Sequence, residues 1–262
     1  MDTSFIVPFV NLMQTLSAES LSLLIFLGCV ASILFLFRTF GITGLYMYNA
    51  VIVIAANVQV LKTAAFSFSP EPVALGTVTF ATTYLVSDIL TEHYGKAVAR
   101  KGVWLSFSAH ILMTSLMLFT LGYSAPAGDK AHGAMMNLFT PSPRILLAGL
   151  LAYLISQFLD IYVFEWVGRM TQRRWLWLRT NVATLLSGLV DNTIFSVLAW
   201  VILNPEPITF YSLIFTYILG TYLARGLVAL LSTPVMYLSY LCIPGTPKMP
   251  IEAPELDVIK AA

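Results

Sequence analysis

Long apolar stretches separated by short polar ones dominate the chain. A bilayer core about 30 Å thick needs about 20 apolar residues of helix. Segments at about 20–37, 42–61, 72–91, 102–122, 145–166, 182–203 and 209–231 meet or approach that length. The last is able to run on through 241, with a break near Pro234. Runs this long and continuous do not alternate as barrel strands do, so helices are the expected spanning structure. The pattern predicts an all-α integral membrane protein, a polytopic helical bundle of about seven transmembrane helices, or six if one segment is re-entrant. It divides the chain into an extracytoplasmic tail at 1–19, a transmembrane domain at 20–241 and a cytoplasmic tail at 242–262.

The third run is the least apolar, because Thr77, Thr79, Thr82, Thr83, Ser87 and Asp88 lie within it. The 123–143 connection holds Pro126, Gly128, Gly133, Pro141 and Pro143 and reads as an external loop. The 167–180 connection interleaves Arg169, Arg173 and Arg174 with Trp175 and Trp177, which predicts a helix lying at the lipid headgroups. The first twenty residues carry Asp2 and Glu19 but no Lys or Arg, so the basic start of a secretory signal is missing. The run that ends at Arg38 is expected to be a retained helix. Beyond Pro244 the sequence is Pro-rich and reads as a mobile tail.

Composition agrees with lipid as the solvent: 58% of residues are hydrophobic and 10% are charged, against about 25% charged in soluble domains. The net charge of +1 lacks the basic footprint of a nucleic-acid binder. Cys29 and Cys242 read as small hydrophobes rather than a disulfide framework. Lys and Arg set the orientation. In a seven-helix reading, Arg38, Lys96, Arg100, Lys101, Arg169, Arg173, Arg174, Arg179, Lys248 and Lys260 fall on one side, against Lys62, Lys130 and Arg144 on the other. The positive-inside rule then places the N-terminus outside and the C-terminus in the cytoplasm of an inner membrane.

The informative residues are those that lipid rejects. A charge at mid-membrane costs about 2.5–3.5 kcal/mol on insertion scales, so such residues face a cavity or a partner. Asp88 and Glu92 are spaced i,i+4 and share a helix face, beside Lys96 and Arg100. Gln157 and Asp160 share a face of the fifth helix. Asn181, Thr184, Ser187 and Asp191 form a stripe on the sixth, with Asn192 beside it. Asn57 and Gln59 lie in the second helix, His110 in the fourth and Arg225 in the seventh. Asp160 and Asp191 each follow a Ser by four residues, a pattern that fits a weak internal repeat or small-residue helix packing equally well.

Two readings of these residues stay open. One is a polar cavity lined by Asp160, Asp191 and Gln157, with Arg225 balancing charge. The other is a set of structural pairs such as Asp191 with Arg225. Arg179 has two readings as well, as a headgroup anchor or as a gate paired with Glu92. Covalent chemistry finds little support. No Gly-x-Ser-x-Gly turn, His-Glu-x-x-His pair or phosphate-binding Gly-x-x-x-x-Gly-Lys loop occurs, and His93, His110 and His132 fall at different depths. No cofactor or metal is expected. An ion gradient or a separate subunit would power any transport.

Several blocks in series carry a resemblance. Gly41 to Asn49 reads Gly-Ile-Thr-Gly-Leu-Tyr-Met-Tyr-Asn, and Ala56 to Lys62 reads Ala-Asn-Val-Gln-Val-Leu-Lys. Tyr84 to Lys96 holds Asp88-x-x-x-Glu92-x-x-Gly95-Lys96, followed by Ala99-Arg100-Lys101. Next come Ala152 to Asp160, with Ser156-Gln157-x-x-Asp160, then Leu176 to Asn181, Asp191 with Ile194-Phe195, and Ala229 to Pro234. Over about residues 40–240 the chain resembles the queuosine precursor transporter family, also called the vitamin uptake transporter family.

The resemblance implies a secondary transporter, not an enzyme. Its substrate would be a small molecule, 7-cyano- or 7-aminomethyl-7-deazaguanine, used in tRNA modification to make queuosine. A guanine-type edge offers adjacent N–H donors that a carboxylate accepts in pairs, and its face wants an aromatic wall. Asp160 and Asp191 are the expected edge readers, with Gln157, Asn57, Asn192 and Ser187 as polar contacts and Phe195, Tyr84 or Trp104 stacking. Asp88, Glu92, Arg100, Arg179 and Arg225 are the expected gating or charge network. Partners are membrane lipid and substrate, with a homo-oligomer and a separate ATPase module left open. The alternatives are a substrate-binding subunit of an ATP-driven vitamin importer and a membrane-embedded enzyme. Three positions depart from the family pattern: Ser187-Gly188 where relatives read Ser-Gln, Arg225 where they carry Lys, and Ser232 where they carry Asp.

Overall fold

The structure is a computed structural model that describes residues 6–67, 73–126, 128–140, 143–202, 209–214 and 221–243. The tail from 244 onward, with Lys248 and Lys260, lies outside the described residues, as does the 215–220 part of the expected seventh span. A short helix, α1 (Ile6–Gln14), precedes the first long one, α2 (Ala18–Gln59), whose start Ser17 caps by accepting from the Ser20 amide. Then follow α3 (Thr77–Tyr94), α4 (Lys96–Leu121), α5 (Lys130–Phe139), α6 (Pro143–Met170), α7 (Leu176–Val197), α8 (Phe210–Ser212) and α9 (Thr221–Ser239). A π-helical turn, Leu198–Ile202, extends α7. The only strands among the described residues, Thr63–Ala64 and Val73–Ala74, form one antiparallel pair.

Among the described residues, four helices are long and apolar enough to cross a membrane: α2, α4, α6 over Ala148–Met170, and α7 with its π-turn to Ile202. The protein is a polytopic helical membrane protein. At 1.5 Å per residue, α2 would be about 63 Å long if straight, about twice a bilayer core. It is not straight. Gly41 has φ 58° and ψ −132°, a conformation that only glycine adopts without strain. A Cβ on Gly44 would come within 2.3 Å of the Leu36 carbonyl, whereas eight residues of straight helix span about 12 Å. The chain therefore folds back at Gly41, and the expected segments 20–37 and 42–61 are its two limbs.

The polar third segment is explained by where α3 sits. Every residue from Ala81 to Thr91 is buried, with α2, α4, α6, α7 and α9 packed around it. Protein rather than lipid surrounds this helix, so its hydroxyls and carboxylate are tolerated. A single residue, Gly95 at φ 85°, joins α3 to α4. The apolar core runs between the α2 limbs, α3, α4, α6 and α7 through Ile33, Phe37, Leu45, Val86, Ile89, Val103, Ile161 and Phe164.

Three connections differ from the expectation. The 123–143 segment is not a plain loop: Asp129 caps α5 by accepting from the Ala131 and His132 amides at 2.9 and 3.3 Å. The 167–180 segment holds no separate interfacial helix. α6 continues to Met170, Gln172 and Arg173 take left-handed φ of 50° and 58°, and the Arg173 amide donates back to the Gly168 carbonyl at 2.8 Å. That is a Schellman-type stop followed at once by α7. Pro234 does not break the last helix, which runs to Ser239.

Contacts fix one end of the bundle. Arg38 donates to the Leu241 carbonyl, Tyr46 to the Val98 carbonyl and Arg173 to Glu165. His93 meets Ser239 at 2.8 Å. The opposite end carries the strand pair and the bond from the Ser67 amide to Glu19.

Candidate functional site

Polar side chains from α3, α6, α7 and α9 meet in the interior. Tyr84 donates to Ser156 at 3.1 Å, and Ser156 donates to Asp191 Oδ1 at 3.1 Å. The other oxygen of Asp191 accepts from Arg225 Nη1 at 2.5 Å. The Arg225 guanidinium lies 5.2 Å over the Phe80 ring. Asp191 is therefore charge-compensated inside the protein. Tyr84, wholly buried and edge-on to Phe80, belongs to this cluster.

Asp160 is held differently. It is fully buried, accepts from Ser187 at 2.8 Å through Oδ1, and leaves Oδ2 without a partner among the described residues. The two serines are crossed. Ser156 stands one turn before Asp160 on α6 but serves Asp191 on α7, while Ser187 stands one turn before Asp191 and serves Asp160. The two helices are antiparallel, so the repeated Ser-x-x-x-Asp spacing produces a local two-fold relation.

Gln157 is fixed from both ends. Its carbonyl accepts from Ser87 at 2.7 Å and its amide donates to Thr83 at 2.7 Å. Thr83 and Ser87 stand i,i+4 on α3, a stripe continued by Thr91, which was the available signal for their role. Asp88, next on α3, is buried with both oxygens unpartnered among the described residues.

The other predicted residues divide. Asn192 is buried on α7. Asn57 donates to its own helix at the Val53 carbonyl, and its oxygen and the Phe195 ring both flank Gly149 of α6. Trp104 is half exposed and packs on Phe107 and Phe158 at the outer surface, away from the carboxylates. Arg100 is exposed and makes no ion pair among the described residues. His110 is buried on α4 with neither ring nitrogen bonded among the described residues.

Glu92 and Arg179 form a separate unit at the basic end. Arg179 donates to both Glu92 oxygens, at 2.6 and 2.9 Å, and its guanidinium lies 5.1 Å over Phe164. Their side chains are 2% and 8% exposed for Arg179 and Glu92, so this is a desolvated fork–fork pair, the strong kind. Tyr240 adds a third bond to Glu92 at 2.5 Å and ties in the chain just after α9. Nothing in the sequence around Tyr240 signals this contact.

A family model described as "Putative vitamin uptake transporter" matches residues 74–239. The chain is 34% identical over 215 residues to a "Probable queuosine precursor transporter" of Bacillus subtilis (strain 168), covering 81% of this chain and 90% of that one. It is 29% identical over 127 residues to the "Queuosine precursor transporter" of Escherichia coli (strain K12), covering 48% and 54% of the two chains. No solved structure matches. With a family match across most of its length and a relative aligned nearly end to end, the chain belongs to the vitamin uptake transporter family, whose members are transporters and not enzymes.

Proposed function

We propose that this chain imports a queuosine precursor, 7-cyano- or 7-aminomethyl-7-deazaguanine, across the inner membrane. The observation that carries this reading is Asp160. It is a carboxylate with no exposed surface and, among the described residues, one oxygen uncommitted, and it lies one turn from Gln157, an amide locked in place by Ser87 and Thr83. A site that accepts paired N–H donors and offers a fixed amide suits the edge of a guanine-type base. The similarity to two queuosine precursor transporters supports the same substrate class.

In this reading Asp160 and Gln157 meet the base edge. Asp191, with Arg225, sets the neighbouring charge, and Ser187 orients Asp160. Tyr84 and Phe195 are the aromatic candidates for the base face. Seven spans follow if the two limbs of α2, then α3, α4, α6, α7 and the segment ending in α9 each cross. The basic end then faces the cytoplasm, because it gathers Arg38, Lys96, Arg100, Arg169, Arg173 and Arg179. The Glu92–Arg179–Tyr240 unit closes the cytoplasmic side when the site faces outward.

The test is uptake in cells unable to make the precursor. Wild-type chain is expected to restore queuosine in tRNA when labelled 7-deazaguanine is supplied, and Asp160→Asn is expected to lose it with normal membrane insertion. Restoration by Asp160→Asn equal to wild type refutes the assignment.

A further inference from the structure

Asp88 and Asp160 stand buried on α3 and α6, two helices packed against each other. Asp88 is wholly buried and accepts no hydrogen bond from any described residue, while Asp160 leaves Oδ2 open. The Ser87–Gln157 bond at 2.7 Å joins α3 to α6 one residue from Asp88 and one turn from Asp160. Ionised carboxylates are acceptors only, so a bond between these two forms only when one of them carries a proton. The Thr180 hydroxyl of α7, also buried, has no hydrogen-bond partner among the described residues.

Among the described residues, the nearby guanidinium groups are already engaged elsewhere. The charged groups acting on Asp88 are Asp160 from α6, Glu92 one turn along α3, and Arg179 from α7. Arg179 already holds both Glu92 oxygens. From the other helices packed on α3, the titratable groups are the buried Cys29 and Tyr48 of α2, the buried His110 of α4 and the partly buried Arg225 of α9. Tyr48 is bonded to Thr82 and Arg225 to Asp191.

We infer that Asp88 and Asp160 form a proton-binding pair, and that this proton couples import to the transmembrane proton gradient. The inference rests on the import reading and names its driving ion. Ser187 donates to Asp160, so Asp160 is the acceptor and Asp88 the proton carrier. A proton from external water binds the Asp88 carboxylate, and its O–H donates to Asp160 Oδ2. Asp160 stays anionic, with lone pairs left for the N–H edge of the substrate. When the proton leaves to the cytoplasm, two like charges stand in contact and the site loosens its hold on the substrate.

The full chain in liposomes separates the two claims. Exchange of labelled 7-cyano-7-deazaguanine against unlabelled internal substrate needs no gradient and reads transport by itself. An outside-acid gradient reads coupling: one proton per neutral substrate gives about tenfold accumulation per pH unit. A protonophore abolishes it, sodium does not replace it, and Asp88→Asn loses it. Infrared spectra of the wild type supply a readout free of transport, a protonated-carboxyl band at neutral pH that Asp88→Asn removes and Asp88→Glu retains. Exchange without proton-driven accumulation, accumulation driven by sodium instead, or absence of the wild-type band each overturns the inference. Failure of exchange with the band present removes the 7-deazaguanine reading and leaves the proton pair standing.

Discussion

Ser187 of α7 reaches Asp160 of α6 at 2.8 Å across the helix interface, while the same hydroxyl also lies 2.6 Å from the Ala183 carbonyl of its own helix. Its counterpart Ser156 reaches the other way, to Asp191. The two carboxylates are unequal in what remains when the serine is lost. Ser187→Ala takes away the hydrogen bond to a buried carboxylate and is expected to cost about 1–2 kcal/mol in detergent unfolding. Ser156→Ala costs less, because Asp191 keeps Arg225. Equal losses contradict the crossed arrangement.

Gly188 of α7 and Arg225 of α9 meet in space. A Cβ at Gly188 would lie 3.8 Å from Arg225 Cδ, so a glutamine there competes with the arginine stem. Gly188→Gln is expected to displace Arg225 from Asp191 and reduce uptake at least about fivefold, equivalent to about 1 kcal/mol. Adding Arg225→Lys, whose ammonium head is more compact than a guanidinium, restores it. A double-mutant cycle with no coupling shows that the two positions are independent.

The Glu92–Arg179 pair is desolvated, so removing one partner strands a buried charge. Glu92→Gln or Arg179→Met is expected to cost about 3–5 kcal/mol, read as a loss of thermal stability in detergent. The double variant costs less than the sum of the two. An additive result rules out the pair as a coupled unit.

The reversal of α2 depends on Gly41. With φ 58° and ψ −132°, Gly41→Ala is expected to cost about 1–3 kcal/mol through backbone strain. Gly44→Ala is as damaging, because its Cβ meets the Leu36 carbonyl backbone at 2.3 Å. Folded yield after membrane extraction measures both. Normal yield of each variant contradicts the fold-back.

Apolar run length was enough to find the two α2 limbs, α4, α6 and α7, because lipid imposes length and hydropathy on each crossing independently. It also made α3 visible as the polar exception, though its start shifts from about 72 to Thr77, where Gly76 at φ 94° lies against the Ala56 carbonyl. The ion pairs Asp191–Arg225 and Glu92–Arg179 were accessible as charge complements. Crossing of the serines was not, since an i−4 spacing equally describes a contact within one helix. α5 was hidden by Gly133 and the flanking prolines, and its capping Asp129 was the overlooked signal. The sharp stop after Met170 was hidden because Gln172 and Arg173 are not residues that announce a left-handed turn.

The central claim is that a buried carboxylate on α6 receives a hydrophilic passenger. Its most direct test is binding of labelled 7-cyano-7-deazaguanine to the purified chain in nanodiscs, wild type beside Asp160→Asn, with folding checked by thermal melting. Saturable binding is expected of the wild type, with a loss of at least about tenfold, about 1.4 kcal/mol, in the variant. A folded Asp160→Asn protein that binds as tightly as the wild type contradicts it.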